Sequence, residues 1–323
     1  MEFFKSHKTY EFMQKRLPFL GLSTLLIIIS LVLLFTKGLN FGIDFTGGTV
    51  IQVQYTKEAP VVQIRELLSK DEKYSNSSVT FFGNPNEIII KFTSSSASLG
   101  KDIGDEIREL LKPSGEYVIR RVDMVGPKVG GELKEKGLMA LALSLMVILI
   151  YVSYRFEWRF AVASVFALMH DVLITLGAII IFNVDVNLDI LAAILTILGY
   201  SINDTIIVFD RIREGIKTSK EKDLQKVINE SISKTLSRTT LTSLTTFFVV
   251  LTLYLFGGEI ISGFSFTLLV GIVVGTYSSI FVAASLLIQL NFSLINYREN
   301  EALKLKRQKQ KESLRAQFEQ GTV

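Results

Sequence analysis

Long apolar runs, rather than the short alternating segments of a soluble domain, dominate the pattern of hydrophobic and polar positions along this chain. Six of the runs are close to the roughly 20 residues that an α-helix needs to cross membrane hydrocarbon. They cover residues 17–36, 137–154, 160–182, 188–209, 238–256 and 264–290. The pattern therefore predicts a polytopic α-helical membrane protein with six transmembrane helices.

The connection between the first two runs, residues 37–136, is much longer than the others and has mixed polarity. Its pattern predicts strands at 49–55, 79–82, 87–92 and 117–125, a helix from Ala59-Pro60 to residue 68 and a helix at 99–111. The turn Gly83-Asn84-Pro85-Asn86 should separate the second and third strands. The order β-α-β-β-α-β is typical of a ferredoxin-like α+β domain, although other α+β sandwiches also fit.

Lysine and arginine residues concentrate at alternate connections, and they orient the runs because cytoplasmic flanks carry the basic excess. They precede the first run, occur at 155–159 and 211–226, and recur between 304 and 315. We therefore expect a multi-pass protein of the cytoplasmic (inner) membrane with both termini in the cytoplasm. The expected parts are a cytoplasmic or interfacial N-terminal segment (1–16), the first transmembrane helix (17–36), an exterior, periplasmic domain (37–136), a five-helix transmembrane region (137–292) and a basic cytoplasmic tail (293–323).

Both ends of the chain offer contacts with membrane lipids. Aromatic and basic residues interleave in residues 1–16, which favours a short interfacial helix over a frayed terminus. The first run lacks a small-residue cleavage site before Lys37, so we expect a retained helix rather than a signal peptide. The tail is expected to form a solvated helix, with a basic anchor on anionic lipid as the alternative.

Composition narrows the classes of function. The net charge of +4 reflects the basic flanks, so nucleic-acid binding has little support. The chain has no cysteine, which excludes disulfides and thiol chemistry. Its two histidines, His7 and His170, are too few and too far apart for a histidine-based site, and no catalytic triad or metal cluster is visible. We expect no cofactor and no bond-making catalysis.

Two glycine motifs bracket the exterior domain, Gly42-Ile43-Asp44-Phe45-Thr46-Gly47-Gly48 before it and Val125-Gly126-Pro127-Lys128-Val129-Gly130-Gly131-Glu132-Leu133 after it. Both are predicted to be tight turns, with hinges as the functional interpretation, because glycine permits positive φ. Asp44 is expected to accept hydrogen bonds from turn amides. The residues concerned are Gly42, Asp44, Gly47, Gly48, Gly126 and Pro127. Neither motif has the Lys-Ser/Thr of a phosphate loop, which excludes ATP binding.

Asp204 lies inside an apolar run, where an ionisable side chain costs roughly 3 kcal/mol or more and indicates a functional site. Arg238 opens the next run from the same side of the membrane, so we predict that the two meet. Ser201 and Asn203 beside Asp204, and Thr242 beside Arg238, suggest surfaces that prefer protein or water to lipid. The functional interpretation is a proton relay, and the alternative is a static pair that locks two helices.

Two further intramembrane patterns favour structural interpretations. His170 and Asp171 lie near the middle of their run, where a hydrogen bond between helices is the preferred explanation. Gly271, Gly275 and Ser279 recur at four-residue spacing and predict close packing against another helix.

Taken together, these motifs resemble one family over almost the whole chain. The sequence is similar to the SecF family, which serves the bacterial Sec protein-export machinery. The resemblance is carried by the two glycine motifs, by Leu198-Gly199-Tyr200-Ser201-Ile202-Asn203-Asp204-Thr205-Ile206-Ile207-Val208-Phe209-Asp210-Arg211-Ile212-Arg213-Glu214, and by Ser237-Arg238-Thr239-Thr240-Leu241-Thr242-Ser243.

The resemblance implies a half of an RND-type transporter that works with the related subunit SecD at the SecYEG channel, often with YajC. It further implies that proton flow, with protons as the coupling ion, moves the exterior domains and draws preprotein outward. Asp204 matches the family's proton-linked acid, and Arg238 matches the basic residue paired with it. Two alternatives remain, an RND-type exporter of lipids or small molecules and a purely structural scaffold.

Overall fold

Six long apolar helices form the main body of the computed structural model, which describes residues 9–71, 73–75, 77–92, 103–290 and 292–319. They are α1 (Arg16–Thr36), α5 (Pro127–Arg155), α6 (Trp158–Ile181), α7 (Leu188–Thr218), α8 (Leu224–Phe256) and the segment Glu259–Gln289, which comprises α9 (Glu259–Ser278), a π-helical turn (Ser279–Ala283) and α10 (Ala284–Gln289). Each is long and apolar enough to cross a membrane. The predicted six-helix membrane protein is confirmed.

Three of these helices extend beyond their predicted membrane stretches. α5 begins at Pro127 rather than at residue 137, and α8 begins at Leu224 rather than at residue 238. α7 continues past residue 209 to Thr218. Hydropathy reports only the part of a helix that suits hydrocarbon, whereas the backbone hydrogen bonds continue through polar residues into water.

The six helices are buried to different extents within the chain. About half of the most apolar stretch is buried in α6 (50%), α7 (44%) and α9–α10 (56%), against 11% in α1 and α5 and 17% in α8. α9 and α7 approach closely, because a Cβ added at Gly271 would lie 2.2 Å from Ile197 Cδ1. α6, α7 and α9 therefore form the centre of the bundle, and the other helices expose apolar faces.

Between α1 and α5 the chain forms an α+β domain. A short helix, α2 (Ile43–Thr46), precedes β1 (Gly48–Tyr55), α3 (Val61–Ser69), β2 (Ser78–Phe82), β3 (Asn84–Phe92), α4 (Ile103–Leu111) and β4 (Tyr117–Val125). The four strands form an antiparallel sheet in the order β2-β3-β1-β4. Alternate strand residues such as Ile51 and Ile90 bury against Ile64 and Ile107 of the two helices. This order confirms the ferredoxin-like prediction.

The predicted four-residue turn is wrong, because the chain reverses at Gly83 alone (φ +73°) and Phe82 pairs with Asn84, the first residue of β3. Glycine adopts this left-handed conformation without a Cβ clash. The first four residues of the helix predicted at 99–111 lie outside the described residues, as do residues 1–8 of the interfacial segment, His7 included.

The last described helix, α11 (Leu294–Glu319), is attached to the bundle near its start. The Arg298 guanidinium donates hydrogen bonds to three backbone carbonyls at the end of α7, those of Ile216 (2.6 Å), Ser219 (2.6 Å) and Glu221 (3.0 Å). Lys217 also forms an ion pair with Glu301 (2.6 Å). Basic side chains near a helix C-terminus satisfy its free carbonyls, so α11 caps α7.

Candidate functional site

The two glycine motifs pack against each other where the α+β domain joins the membrane helices. A Cβ added at Gly47, which has φ +73°, would lie 2.6 Å from Pro127 Cα. A Cβ at Gly130 would lie 2.8 Å from the backbone nitrogen of Gly47. The second motif is not a turn, because Val125 ends β4, Gly126 is extended and Pro127 already occupies the first turn of α5. The hinge role of Gly42, Gly47, Gly48, Gly126 and Pro127 stays a prediction.

Asp44 contacts a different part of the chain from the one expected. Its carboxylate accepts a hydrogen bond from the backbone amide of Leu188, at 3.0 Å, which is the first residue of α7. Gly42 donates its amide to the Val186 carbonyl at 2.9 Å. Asp44 therefore stabilises the N-terminus of α7 instead of the turn in which it lies, and sequence spacing could not reveal this partner.

An ion pair also attaches the sheet to the connection that precedes α7. Asp185, in the connection between α6 and α7, forms an ion pair with Lys91 of β3 and accepts a hydrogen bond from the Asn40 side chain. The α+β domain is thus joined to the start of α7 by Asp44, Lys91 and Asn40 together.

Asp204 is buried in the centre of the bundle, with 1% of its surface exposed. Ser243 of α8 donates a hydrogen bond to Asp204 Oδ2 at 3.2 Å, and Thr276 of α9 donates to Ser243 at 2.8 Å. Asp204 Oδ1 has no hydrogen-bond partner among the described residues, and neither has the buried hydroxyl of Thr239, one turn from Ser243. A carboxylate oxygen that is buried without a partner costs stability, so the packing of Asp204 does not by itself stabilise the fold.

The predicted contact between Arg238 and Asp204 is absent from the ion pairs of the described residues. Arg238 is exposed, as are Thr242 and Asn203. Arg238 lies five positions before Ser243, which rotates Arg238 by about 140° away from the face that meets Asp204. The two residues lie on neighbouring helices, as predicted, but the side chain of Arg238 is on a different face from the one that meets Asp204.

A second buried polar cluster surrounds Asp171. Its Oδ1 lies 2.8 Å from His170 Nδ1, and its Oδ2 accepts hydrogen bonds from Ser201 at 2.5 Å and Ser278 at 2.9 Å. His170 Nε2 lies 3.1 Å from the hydroxyl of Ser23 on α1. The predicted interhelical hydrogen bonds are present, and they join α1, α6, α7 and α9 rather than a single pair of helices.

Sequence reasoning did not identify most of the partners of these two carboxylates. Ser243 and Ser278 contact the carboxylates directly, and Thr276, Ser23 and Tyr277 extend the two hydrogen-bonded clusters; all five are hydroxyl-bearing residues inside apolar runs. Of the predicted stripe, Gly275 packs against Ser201, whereas Ser279 begins the π-helical turn. The available signal was the frequency of Ser and Thr within the last two runs, which marks surfaces that face protein rather than lipid.

Six membrane helices, an inserted ferredoxin-like domain and buried intramembrane carboxylates define a multi-pass membrane protein of the transporter class. The family model described as "Protein export membrane protein SecD/SecF, C-terminal" matches residues 106–293, and the "SecD/SecF GG Motif" model matches residues 32–59. The chain belongs to the SecD/SecF family of protein-export membrane proteins.

Characterised relatives and solved structures agree with this assignment. The chain is 48% identical to the protein translocase subunit SecF of Helicobacter pylori strain J99 over the full length of both, and 40% identical to that of Escherichia coli O157:H7 over 88% of both. The crystal structure of SecDF from Thermus, described as a translocon-associated membrane protein, superposes with a TM-score of 0.80 at 34% identity. That match covers 88% of this chain and 39% of the longer SecDF chain.

Proposed function

We propose that this chain is the SecF-type subunit of a Sec translocase and that, together with SecD, it uses the proton motive force to promote protein translocation across the cytoplasmic membrane. The observation that carries the proposal is the buried Asp204 carboxylate, whose Oδ1 has no partner among the described residues. An acid at this depth marks a proton or ion pathway more often than a structural contact. The coupling ion is the proton, and no cofactor or bond-making chemistry is required.

The contacts of α7 supply a route from Asp204 to the exterior domain. Asp204 lies 16 residues after Leu188, or about 24 Å along the helix axis. The amide of Leu188 is bound by Asp44, which belongs to the first glycine motif, and this motif leads directly into β1 of the sheet. A shift or rotation of α7 that follows a change at Asp204 would therefore displace the point at which the α+β domain is attached.

The exposed face that α7 and α8 share is the surface that we assign to contact with SecD. Asn203 and Thr242 each precede a residue of the facing pair Asp204 and Ser243, so on antiparallel helices both project to the same side, together with Arg238. A cation and amide exposed at membrane depth require a protein or water partner. Arg238 thus contacts a carboxylate of SecD, or reaches Asp204 when the subunits rearrange.

The remaining assignments follow from the same proposal. Both termini lie in the cytoplasm, the α+β domain lies on the periplasmic face where preprotein emerges, and exposed apolar faces meet membrane lipids, SecD and the SecYEG channel, with YajC as a further partner. Energetically, one charge moved through 100 mV is worth about 2.3 kcal/mol, which is enough to bias two nearly equal conformations.

Proton-gradient-dependent completion of preprotein translocation in membrane vesicles tests the proposal. Asp204→Asn keeps the size and the hydrogen bond from Ser243 but removes the acid, and we expect it to abolish the gradient-dependent component at wild-type assembly with SecD. Asp189→Asn, the same chemical change at an exposed position on the same helix, is the matched control and should retain that component. Unchanged translocation with Asp204→Asn would reduce Asp204 to a structural role and favour the scaffold alternative.

A further inference from the structure

The cluster around His170 and Asp171 contains an unbroken series of hydrogen bonds across four helices. Tyr277 donates its hydroxyl to the Phe19 carbonyl at 2.7 Å and lies 3.0 Å from the Ser23 hydroxyl. Ser23 in turn lies 3.1 Å from His170 Nε2. Both His170 and Asp171 are buried, with 2% and 0% of their surfaces exposed.

The number of hydrogens in this series fixes the proton content of the pair. Because Tyr277 donates to Phe19, Ser23 must donate to Tyr277, and His170 Nε2 must then carry a hydrogen that it donates to Ser23. The contact of 2.8 Å between His170 Nδ1 and Asp171 Oδ1 also needs one hydrogen. It is carried either by the imidazolium or by the carboxylic acid, so in this arrangement the pair holds one exchangeable proton.

The two carboxylates of the bundle are near neighbours. Ser201 donates to Asp171 Oδ2 and lies one turn before Asp204 on the same face of α7, where Cβ atoms are about 5–6 Å apart. On α9, Ser278 donates to Asp171, and Thr276 connects through Ser243 to Asp204. A π-helical turn begins at Ser279, directly after Ser278, and such turns occur frequently at functional sites.

We propose that the His170–Asp171 pair is a second proton-binding site of this chain, which exchanges its proton with Asp204 through the Ser201 hydroxyl of α7. The exchange step rests on the proposed function, whereas the proton content of the pair does not. When the pair has given up its proton, the acid O–H bond of Asp204 breaks, Ser201 accepts that proton and gives its own to Asp171 Oδ2, which restores one proton to the pair. The Ser201 hydroxyl is re-formed, and one positive charge has moved by about one helical turn.

Few other ionisable groups face this pair. α7 contributes Asp204, and α9 contributes Tyr277, whose ring stacks on that of His170 with centroids 6.1 Å apart. α1 contributes the hydroxyl of Ser23. The apolar part of α5 (137–150) and the segment 279–289 contain no ionisable side chain. Proton transfer at His170 is therefore coupled mainly to Asp204 and to the contact between α1 and α9.

Histidine ¹⁵N resonances test the proposal directly, because the chain has only two histidines. We would label the chain with ¹⁵N-histidine, replace His7 by glutamine, assemble it with unlabelled SecD in lipid vesicles and follow His170 by solid-state NMR over pH. We expect the His170 resonances to titrate, Asp171→Asn to remove the wild-type transition, and Asp204→Asn and Ser201→Ala to move its midpoint. Thr218→Ala, which removes an exposed hydroxyl at the end of α7, should leave the midpoint unchanged.

Two results would overturn the proposal. Resonances of His170 that stay constant across pH would show a static hydrogen bond. If neither Asp204→Asn nor Ser201→Ala changed the midpoint of the His170 transition, the pair would be isolated and would not exchange its proton with Asp204. Ser201→Ala removes no charge, so it keeps the test valid if Asp171→Asn fails to assemble. Loss of gradient-dependent translocation in Asp204→Asn with a constant His170 signal would leave the proposed function standing and reject this inference alone.

Discussion

The carboxylate of Asp44 accepts a hydrogen bond from the backbone amide of Leu188 at 3.0 Å, so a residue of the first glycine motif caps the helix that carries Asp204. The two residues are 144 positions apart in the chain. The contact makes the base of the α+β domain and the start of α7 one structural unit, and several consequences can be measured.

Removal of the Asp44 cap should destabilise the protein and loosen the attachment of the domain. Asp44→Ala leaves a free amide at the start of α7, and loss of an N-terminal cap costs about 1 kcal/mol. Thermal denaturation of the purified complex with SecD should show a lower midpoint. Asp44→Asn retains an acceptor and should lie close to wild type, so equal midpoints for the two variants would contradict the capping role.

The close contact between Gly130 and Gly47 predicts that alanine substitutions at two adjacent positions of α5 have opposite effects on stability. Gly130→Ala places a Cβ 2.8 Å from the Gly47 backbone nitrogen, an overpacking that costs roughly 1–3 kcal/mol. Gly131→Ala meets nothing within 4 Å and should stabilise the helix by up to about 1 kcal/mol. The same denaturation assay measures both variants. A similar loss of stability in each would show that helix formation, and not the contact with Gly47, governs the site.

Arg298 should contribute to stability through the end of α7. Its replacement by alanine leaves the carbonyls of Ile216 and Ser219 without their donor, and a hydrogen bond to a charged group is worth about 1.5–3 kcal/mol. We expect faster hydrogen exchange of the amides in the last turns of α7. Arg307→Ala removes an exposed arginine from the same helix and is the control. Equal exchange in both variants would exclude the capping function.

The folded α+β domain should keep Tyr74 neutral in alkaline solution. Burial is the main cause that raises the pKa of Tyr74 above its ordinary value of about 10, and the hydrogen bond of 2.6 Å that it donates to Glu106 raises it further. The neutral phenol therefore stabilises the fold fully below pH of about 10, and this contribution is lost as the pH rises through the folded-state pKa.

Absorbance titration of tyrosinate measures this effect. Tyr74→Phe should remove one late-ionising tyrosine from the profile of the folded complex, and the same substitution should remove an ordinary tyrosine from the profile in denaturant. If Tyr74→Phe removed an early-ionising group instead, the burial and hydrogen bond of Tyr74 would not persist in solution.

Much of the fold was predictable because its signals are local. Membrane hydrocarbon requires about 20 apolar residues in a row, so hydropathy found all six helices. Strand alternation located β1, predicted at 49–55, within one residue of its observed bounds, Gly48–Tyr55, since one face of that strand is buried in the core and the other is only partly buried. Gly83 could not be placed with the same accuracy, because Asn84 to Asn86 favour turns by composition yet pair as strand residues.

The helices that carry the candidate site were predictable, but the faces that they turn to each other were not. Spacing along the sequence placed Asp204 and Arg238 on the neighbouring helices α7 and α8. The face that each helix turns to its neighbour depends on α9, which packs against both through Gly271, Gly275 and Thr276. Nothing local to Arg238 reports that packing, so the sequence could not identify Ser243 as the residue that meets Asp204.

The contact between Arg298 and the carbonyl of Ile216 also sets an order of events during synthesis. Arg298 is added to the chain 82 residues after its partner, when α8 and α9 have already been made. Until then the carbonyl of Ile216 lacks the donor that it has in the folded protein. A nascent chain therefore completes the contacts at the end of α7 only after α8 and α9 have been synthesised.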